Sequence, residues 1–208
     1  MQLQMPKWPT VARLTAAAKR LGRDNRGVAA VEFAFLAPIL LMMYFLTLEA
    51  SQAIETNKKV SRLGSMVADL IAQNPASSIT KSDIQSVMDI GKTTLLPYAR
   101  SKPTITITGL QLTSDPTPKA KVAWSRKLDA DTFSQGLAVG TEVTIPSALA
   151  IKDTFLVKVD SNLDYKPLII WSAGGEQLGL LNTFKSIAMG ESYLLRPRTV
   201  SKLDCTDC

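Results

Sequence analysis

Two hydrophobic patterns follow one another near the start of the chain. From Val28 to Leu48, 21 consecutive positions carry a single charge, Glu32. At about 1.5 Å per residue this run reaches about 31 Å, enough to cross a hydrocarbon core of about 30 Å. Beyond Glu49 the apolar residues become periodic. Val60, Leu63, Val67, Leu70 and Ile71 recur at spacings of three and four, which makes one stripe along a helix. No proline interrupts this stretch before Pro75. Asn74-Pro75 then predicts a stop. The two patterns join into one helix over 28–73, about 69 Å long, with Pro38 kinking it or loosening its backbone bonds locally. The alternative is a plain anchor ending near residue 55, followed by a separate helix.

Farther on, the period shifts from helix to strand. Thr80 or Ser82 caps a second helix whose Ile84, Val87, Met88 and Gly91 share a face and which Pro97 closes. Thr104-Ile105-Thr106-Ile107-Thr108 alternates strictly, a strand with Ile105 and Ile107 inward. Lys121–Leu128 alternates less cleanly around Val122 and Trp124. Ser114-Asp115-Pro116-Thr117-Pro118 between them predicts a hairpin loop. Asp153–Val159 and Ile187–Leu195 supply two more strands. Residues 129–150 read as mostly loop, with a short helical turn after Pro146. Pro167–Phe184 reads as a long connection, a length that points to further structure or a partner contact. Helices first and strands later predict an α+β fold: about four antiparallel strands with the long helix on one face.

Charge sharpens the organisation. The net charge of +6 is concentrated: the first 27 residues carry +5 and the remainder +1. Lys7, Arg13, Lys19, Arg20, Arg23 and Arg26 make a basic leader ahead of the apolar run. That is the flank of a cytoplasmic membrane face, with residues 49–208 on the opposite side. A nucleic-acid-binding arm is the competing reading, and the adjoining span argues against it. A secretory signal peptide also competes, with Ser51-Gln52-Ala53 as a small-x-small cut site. The apolar run exceeds the roughly 7–15 residues of such a signal, and Glu32 interrupts it. The chain therefore divides into a leader (1–27), a span (28–48) and an extracytoplasmic α+β domain (49–208) that includes the helix extension to about 73.

The chemistry-bearing residues are few. The chain has two cysteines and no histidine. A Ser-His-Asp triad, a Cys-His dyad and the common zinc sites are excluded within it. No cofactor or metal site is expected, and no enzymatic activity. Cys205-Thr206-Asp207-Cys208 is a C-x-x-C in which a local disulfide, a bond to a partner chain, and free thiols or a metal remain open. Asp129 with Asp131, and Asp160 with Asp164, read as solvated turn residues rather than calcium ligands. Trp124 and Trp171 read as core or interface anchors.

A glutamate inside a span is costly, by roughly 2.5–3.5 kcal/mol. Glu32 follows Gly27 by five residues, and that spacing carries a resemblance. Basic leader, Gly27, Glu32 and a spanning helix resemble a type IV prepilin cleavage site. The run Arg26-Gly27-Val28-Ala29-Ala30-Val31-Glu32-Phe33, continuing through Pro38 to Leu41, resembles the TadE-like proteins of the tight-adherence (Tad/Flp) pilus system. Leu195-Arg196-Pro197-Arg198 and the Cys205 and Cys208 tail are similar to the ends of some members. Phe33 stands where major Flp pilins carry tyrosine, and the chain is much longer than they are.

The resemblance implies a prepilin-like minor pilin or pseudopilin in the inner membrane. Its N-terminus would be cytoplasmic and its C-terminal domain periplasmic, with the pilus or its base as the destination of the chain. A prepilin peptidase, a membrane aspartic protease, would cut between Gly27 and Val28. Glu32 and Phe33 would serve processing and assembly. Lys19, Arg20, Arg23 and Arg26 would hold the leader on the membrane lipid. The implied partners are the peptidase, the Tad inner-membrane platform and other Flp/Tad pilins, with no nucleic acid. The alternatives are an uncleaved single-pass adaptor, a type II secretion pseudopilin and a periplasmic enzyme.

Overall fold

The computed structural model describes residue 15 and residues 27–168 and 186–208. The chain separates into two units, Met1–Thr47 and Leu48–Cys208.

The described part of the first unit is the apolar stretch of helix α1, which runs Val28–Ala72. Pro38 lies inside α1 without ending it. Its large side chains, from Phe33 to Leu46, are exposed. This helix is long and apolar enough to cross a membrane.

In the second unit, α1 buries Thr56, Val60, Leu63, Gly64, Val67, Ala68, Ile71 and Ala72 along one stripe. The expected stripe included Leu70, which is instead 40% exposed. At about 100° per residue the buried face is taken over by Ala68 and Ala72, and Leu70 falls to its flank.

After α1 come β1 (Ser78–Ile79) and α2 (Lys81–Thr93). Thr80 caps α2 through a reciprocal box with Asp83: the Thr80 hydroxyl accepts from Asp83 N at 3.2 Å, and Asp83 accepts from Thr80 N at 3.0 Å. Two otherwise orphaned N–H groups are thereby satisfied. Ile84, Met88 and Gly91 are buried and Val87 packs beside them. A β-carbon on Gly91 would meet Val67 Cγ2 at 2.6 Å, so glycine lets α2 lie close against α1.

The strands that follow are β2 (Thr104–Leu112), β3 (Ala120–Asp129), β4 (Thr132–Gln135), β5 (Glu142–Val143), β6 (Phe155–Tyr165) and β7 (Ile187–Leu195). They form one six-stranded antiparallel sheet in the order β4-β3-β2-β6-β7, with β5 also on β3. The final strand β8 (Asp204–Cys205) pairs with β1 in parallel. The fold is α+β, with six strands in the sheet where four were expected. The two additions, β4 and β5, are short and lie in the stretch read as loop. Their sequences, Thr-Phe-Ser-Gln and Glu-Val, are too short to show a period. The turn after Pro146 is present as a 3₁₀ turn at Ser147–Leu149.

A register shift at Gly109/Leu110 explains the unclear alternation of β3. Trp124 pairs with Gly109 and Val122 with Leu110, leaving Ala123 as the extra residue. Such a bulge flips the faces on either side of it. Trp124 therefore joins the main core with Ile105, Ile107, Val157 and Val159 under the helices. Val122 joins Leu110, Leu112 and Leu156 in a second core covered by Val143, Ile145 and Leu149.

Strand β6 is also longer than expected. Ser161, Leu163 and Tyr165 continue the buried face past Val159. Asp160 and Asp164 are strand residues, not the turn residues expected. Three polar residues in a row, Asp160-Ser161-Asn162, hid the alternation.

Candidate processing site and the base of the soluble unit

Gly27 is exposed and immediately precedes the first residue of α1, Val28. A β-carbon added to Gly27 meets no described atom within 4 Å, and its φ lies outside the positive region. Among the described residues, neither packing nor backbone conformation requires glycine there. Glu32 lies one turn into α1, whose first turn holds no acidic residue. The helix dipole acts mainly over that first turn, so it does little for Glu32. The carboxylate is exposed among exposed apolar side chains, with no hydrogen-bond or ion-pair partner among the described residues. Phe33 beside it is also exposed. Lys19, Arg20, Arg23 and Arg26 lie outside the described residues, as does Trp171 and most of the connection expected over Pro167–Phe184.

A second cluster forms where α1 enters the soluble unit. Glu49, the first charged residue after the apolar run, accepts from the Tyr165 hydroxyl. Its other oxygen accepts from Leu168 N at 2.9 Å. Arg100 Nη2 stands 3.8 Å from Glu49 and donates to Tyr165 Oη at 3.0 Å and to Gln52 at 3.3 Å. Tyr98 and Tyr165 stack with centroids 5.3 Å apart, and the Arg100 guanidinium lies about 5 Å from both rings. Tyr98 Oη accepts from Lys166 N at 2.8 Å. Burial, and then the Glu49 hydrogen bond and charge, push the Tyr165 phenol well above its ordinary range. It therefore stays protonated and donates. These bonds tie α1, the end of β6 and the 98–101 segment together.

Sequence reasoning missed this cluster. The available signal was Glu49 as the first charge past a span, with tyrosine and arginine clustered at Tyr98–Arg100. Distances of 116 residues along the chain hid their meeting.

At the C-terminal end Cys205 and Cys208 are joined by a disulfide. Asp207 within that loop accepts from Lys81 N, at the first residue of α2, at 2.8 Å. Leu203 is buried, and its carbonyl accepts from Trp124 Nε1 at 2.8 Å. Trp124 is thus a core anchor, and the tail is clasped to β1, α2 and β3. Asp129 and Asp131 face lysines: Lys127 at 2.7 Å from Asp129, and Lys92 and Lys102 beside Asp131. These contacts hold both carboxyl groups below their ordinary range. Asp160 is engaged by Lys158 at 2.8 Å and by Ser192 at 2.7 Å.

A half-buried amphipathic helix on an antiparallel sheet, continued by an exposed apolar stretch, defines an α+β protein with one candidate membrane span. Residues 27–68 match the family model of TadE-like proteins. The matched segment begins at Gly27 and ends inside the sheet-packed part of α1, and supports a Tad pilus-associated protein. TadE-like proteins are structural pilus components. No curated protein and no solved structure matches the chain.

Proposed function

We propose that the protein is a prepilin-like minor pilin or pseudopilin in assembly of a tight-adherence pilus. It is inserted in the inner membrane through Val28–Leu48, with the leader in the cytoplasm and the α+β unit in the periplasm. A prepilin peptidase removes residues 1–27. The Tad platform and other Flp/Tad pilins are its partners.

The observation that carries this reading is the pair Gly27 and Glu32. No described residue demands glycine at 27, and Glu32 finds no described partner within the chain. Both positions acquire a reason outside it. Cleavage after Gly27 frees the α-amino group of Val28, cationic at neutral pH. The corresponding amine of a neighbouring subunit, brought beside Glu32 in a low dielectric, offsets much of the desolvation cost of both charges. A neighbour out of register leaves the carboxylate uncompensated, so the pair also sets axial position.

Gly27→Leu tests the processing half. A β-carbon at Gly27 meets no described atom within 4 Å, so the variant is expected to insert and fold. Full-length chain then accumulates in peptidase-positive cells. Unchanged cleavage of Gly27→Leu contradicts the assignment.

A further inference from the structure

Residues 203–208 lie across β1, the start of α2 and β3, and two kinds of contact hold them there. Leu203 is fully buried in the main core, and its carbonyl accepts from Trp124 Nε1. From Asp204 onward only Cys205 is half-buried, and the other residues are exposed. Apart from the contact of Cys205 with the core, this part is held by hydrogen bonds. Asp204 N donates to Ser77 O at 2.9 Å, and Thr206 N to Ile79 O at 3.1 Å. Asp207 accepts from Lys81 N at 2.8 Å, and the Cys208 carbonyl accepts from Arg126 Nη2.

Such a set is marginal by itself. β8 and β1 pair over two residues each, far short of a sheet that stands alone. Ordering a residue costs as much as one exposed hydrogen bond returns, or more. The bond between Cys205 and Cys208 changes that balance. It closes a ring of four residues whose end Cα atoms are 5.5 Å apart. Thr206 and Asp207, the two residues inside the ring, make the bonds to Ile79 O and Lys81 N. Ring closure holds both groups near the docked geometry beforehand, which lowers the cost of ordering them.

What the segment covers gives its closure a consequence. Lys81 is the first residue of α2, and its N–H is one of the orphans of a helix start. The box at Thr80 serves Thr80 N and Asp83 N, and Asp207 serves Lys81 N. Arg126 is only 8% exposed. The Cys208 carbonyl is its one hydrogen-bond acceptor among the described residues, and its Nε has none. Release of the segment leaves both donors unmet and uncovers the edge of β1 at Ile79, which is 2% exposed. Cys208 is itself exposed, so a thiolate can reach its sulfur.

We infer that residues 204–208 form a redox-gated clasp, closed on β1 and α2 when Cys205 and Cys208 are joined and released when both are thiols. A dithiol reductant opens it. One thiolate of the reductant attacks Cys208 Sγ and forms a mixed disulfide, while the Cys205 sulfur leaves and takes a proton. The second thiol of the reductant then displaces Cys208, which is protonated in turn. Two hydrogens and two electrons have passed to the clasp, and the reductant ends as a disulfide. A disulfide oxidant runs the same exchange in reverse. The segment is therefore loose in a reducing compartment and closes in an oxidising one. The clasp lies wholly in the soluble unit, so it works in the same way with or without residues 1–27.

The test uses the full chain in detergent micelles, folded with the bond closed and then treated with dithiothreitol. Alkylation counts the freed thiols, and amide hydrogen exchange is read by mass spectrometry before and after. The expected result is exchange at least about tenfold faster on reduction in the peptides bearing Lys81, Asp204 and Thr206, with Thr104–Leu112 and Phe155–Tyr165 unchanged. Glutathione disulfide restores the slow exchange. The double variant Cys205→Ser/Cys208→Ser exchanges fast in these peptides under both conditions. If that variant fails to fold, the parent chain reduced after folding decides the matter. Equal exchange in the reduced and oxidised chains overturns the clasp. Reduction that speeds Phe155–Tyr165 to the same degree overturns it too, because the bond then staples the whole unit. A bond that dithiothreitol fails to open in the folded chain does so as well.

Discussion

Glu32 and Glu49 bracket the apolar run and meet opposite fates. Glu49 is satisfied within the chain by Tyr165 and Leu168 N, whereas Glu32 has no described partner. A carboxylate retained at a cost of roughly 2.5–3.5 kcal/mol, with no compensation among the described residues, is expected to be compensated by another molecule. Glu32→Ala should therefore leave insertion and cleavage intact while pilus assembly, scored by electron microscopy or shear release, falls sharply. Normal piliation in that variant contradicts the pairing. Tyr165 offers a test of the base cluster. Its folded-state phenol is raised by burial and by Glu49, so the contribution it makes to stability is present below the ordinary value of about 10 and is lost as pH rises above it. An absorbance titration should show a late phenolate phase that coincides with unfolding and is missing in Tyr165→Phe. Ionisation of every tyrosine near pH 10 in the folded chain contradicts this environment.

At the scale of elements, α1 and the sheet meet along a seam that passes close by Gly64. A β-carbon there falls 2.6 Å from Ser161 Oγ and 3.0 Å from the Tyr193 ring. Ser161 cannot simply turn away, because its hydroxyl serves Val60 O at 3.2 Å and lies 3.4 Å from Glu191 O. Gly64→Val should lower stability by about 2 kcal/mol, in the range of overpacked cores, measured by denaturant unfolding. A midpoint equal to the parent protein's contradicts the close seam. The elements best marked in the sequence were those with a sustained period. The stripe Val60-Leu63-Val67-Ile71, the cap expected at Thr80 or Ser82, and the alternation at Ile105 and Ile107 each specify their element through local chemistry. Strands β4 and β5 were not legible because two to four residues exist as strand only through pairing with β3. The tail of β6 was hidden by its polar run, and β3 by a bulge that depends on its partner's register. The base cluster joins Glu49, Arg100 and Tyr165 across long loops, and no local pattern marks such a meeting.

For the whole molecule, the division at Thr47/Leu48 separates an exposed apolar helical stretch from a unit with its own buried core. The first 27 residues hold most of the net charge and precede the only long apolar run among the described residues. Leader, span and soluble unit thus differ in composition, and that much the sequence makes plain. What composition leaves open is whether the leader persists. The most direct measurement is the N-terminus of the mature chain, read by intact mass and N-terminal sequencing from cells with and without the prepilin peptidase. The account predicts Val28 as the first residue when the peptidase is present and the full leader when it is absent. Recovery of the leader-bearing chain alone from peptidase-positive, piliated cells contradicts it.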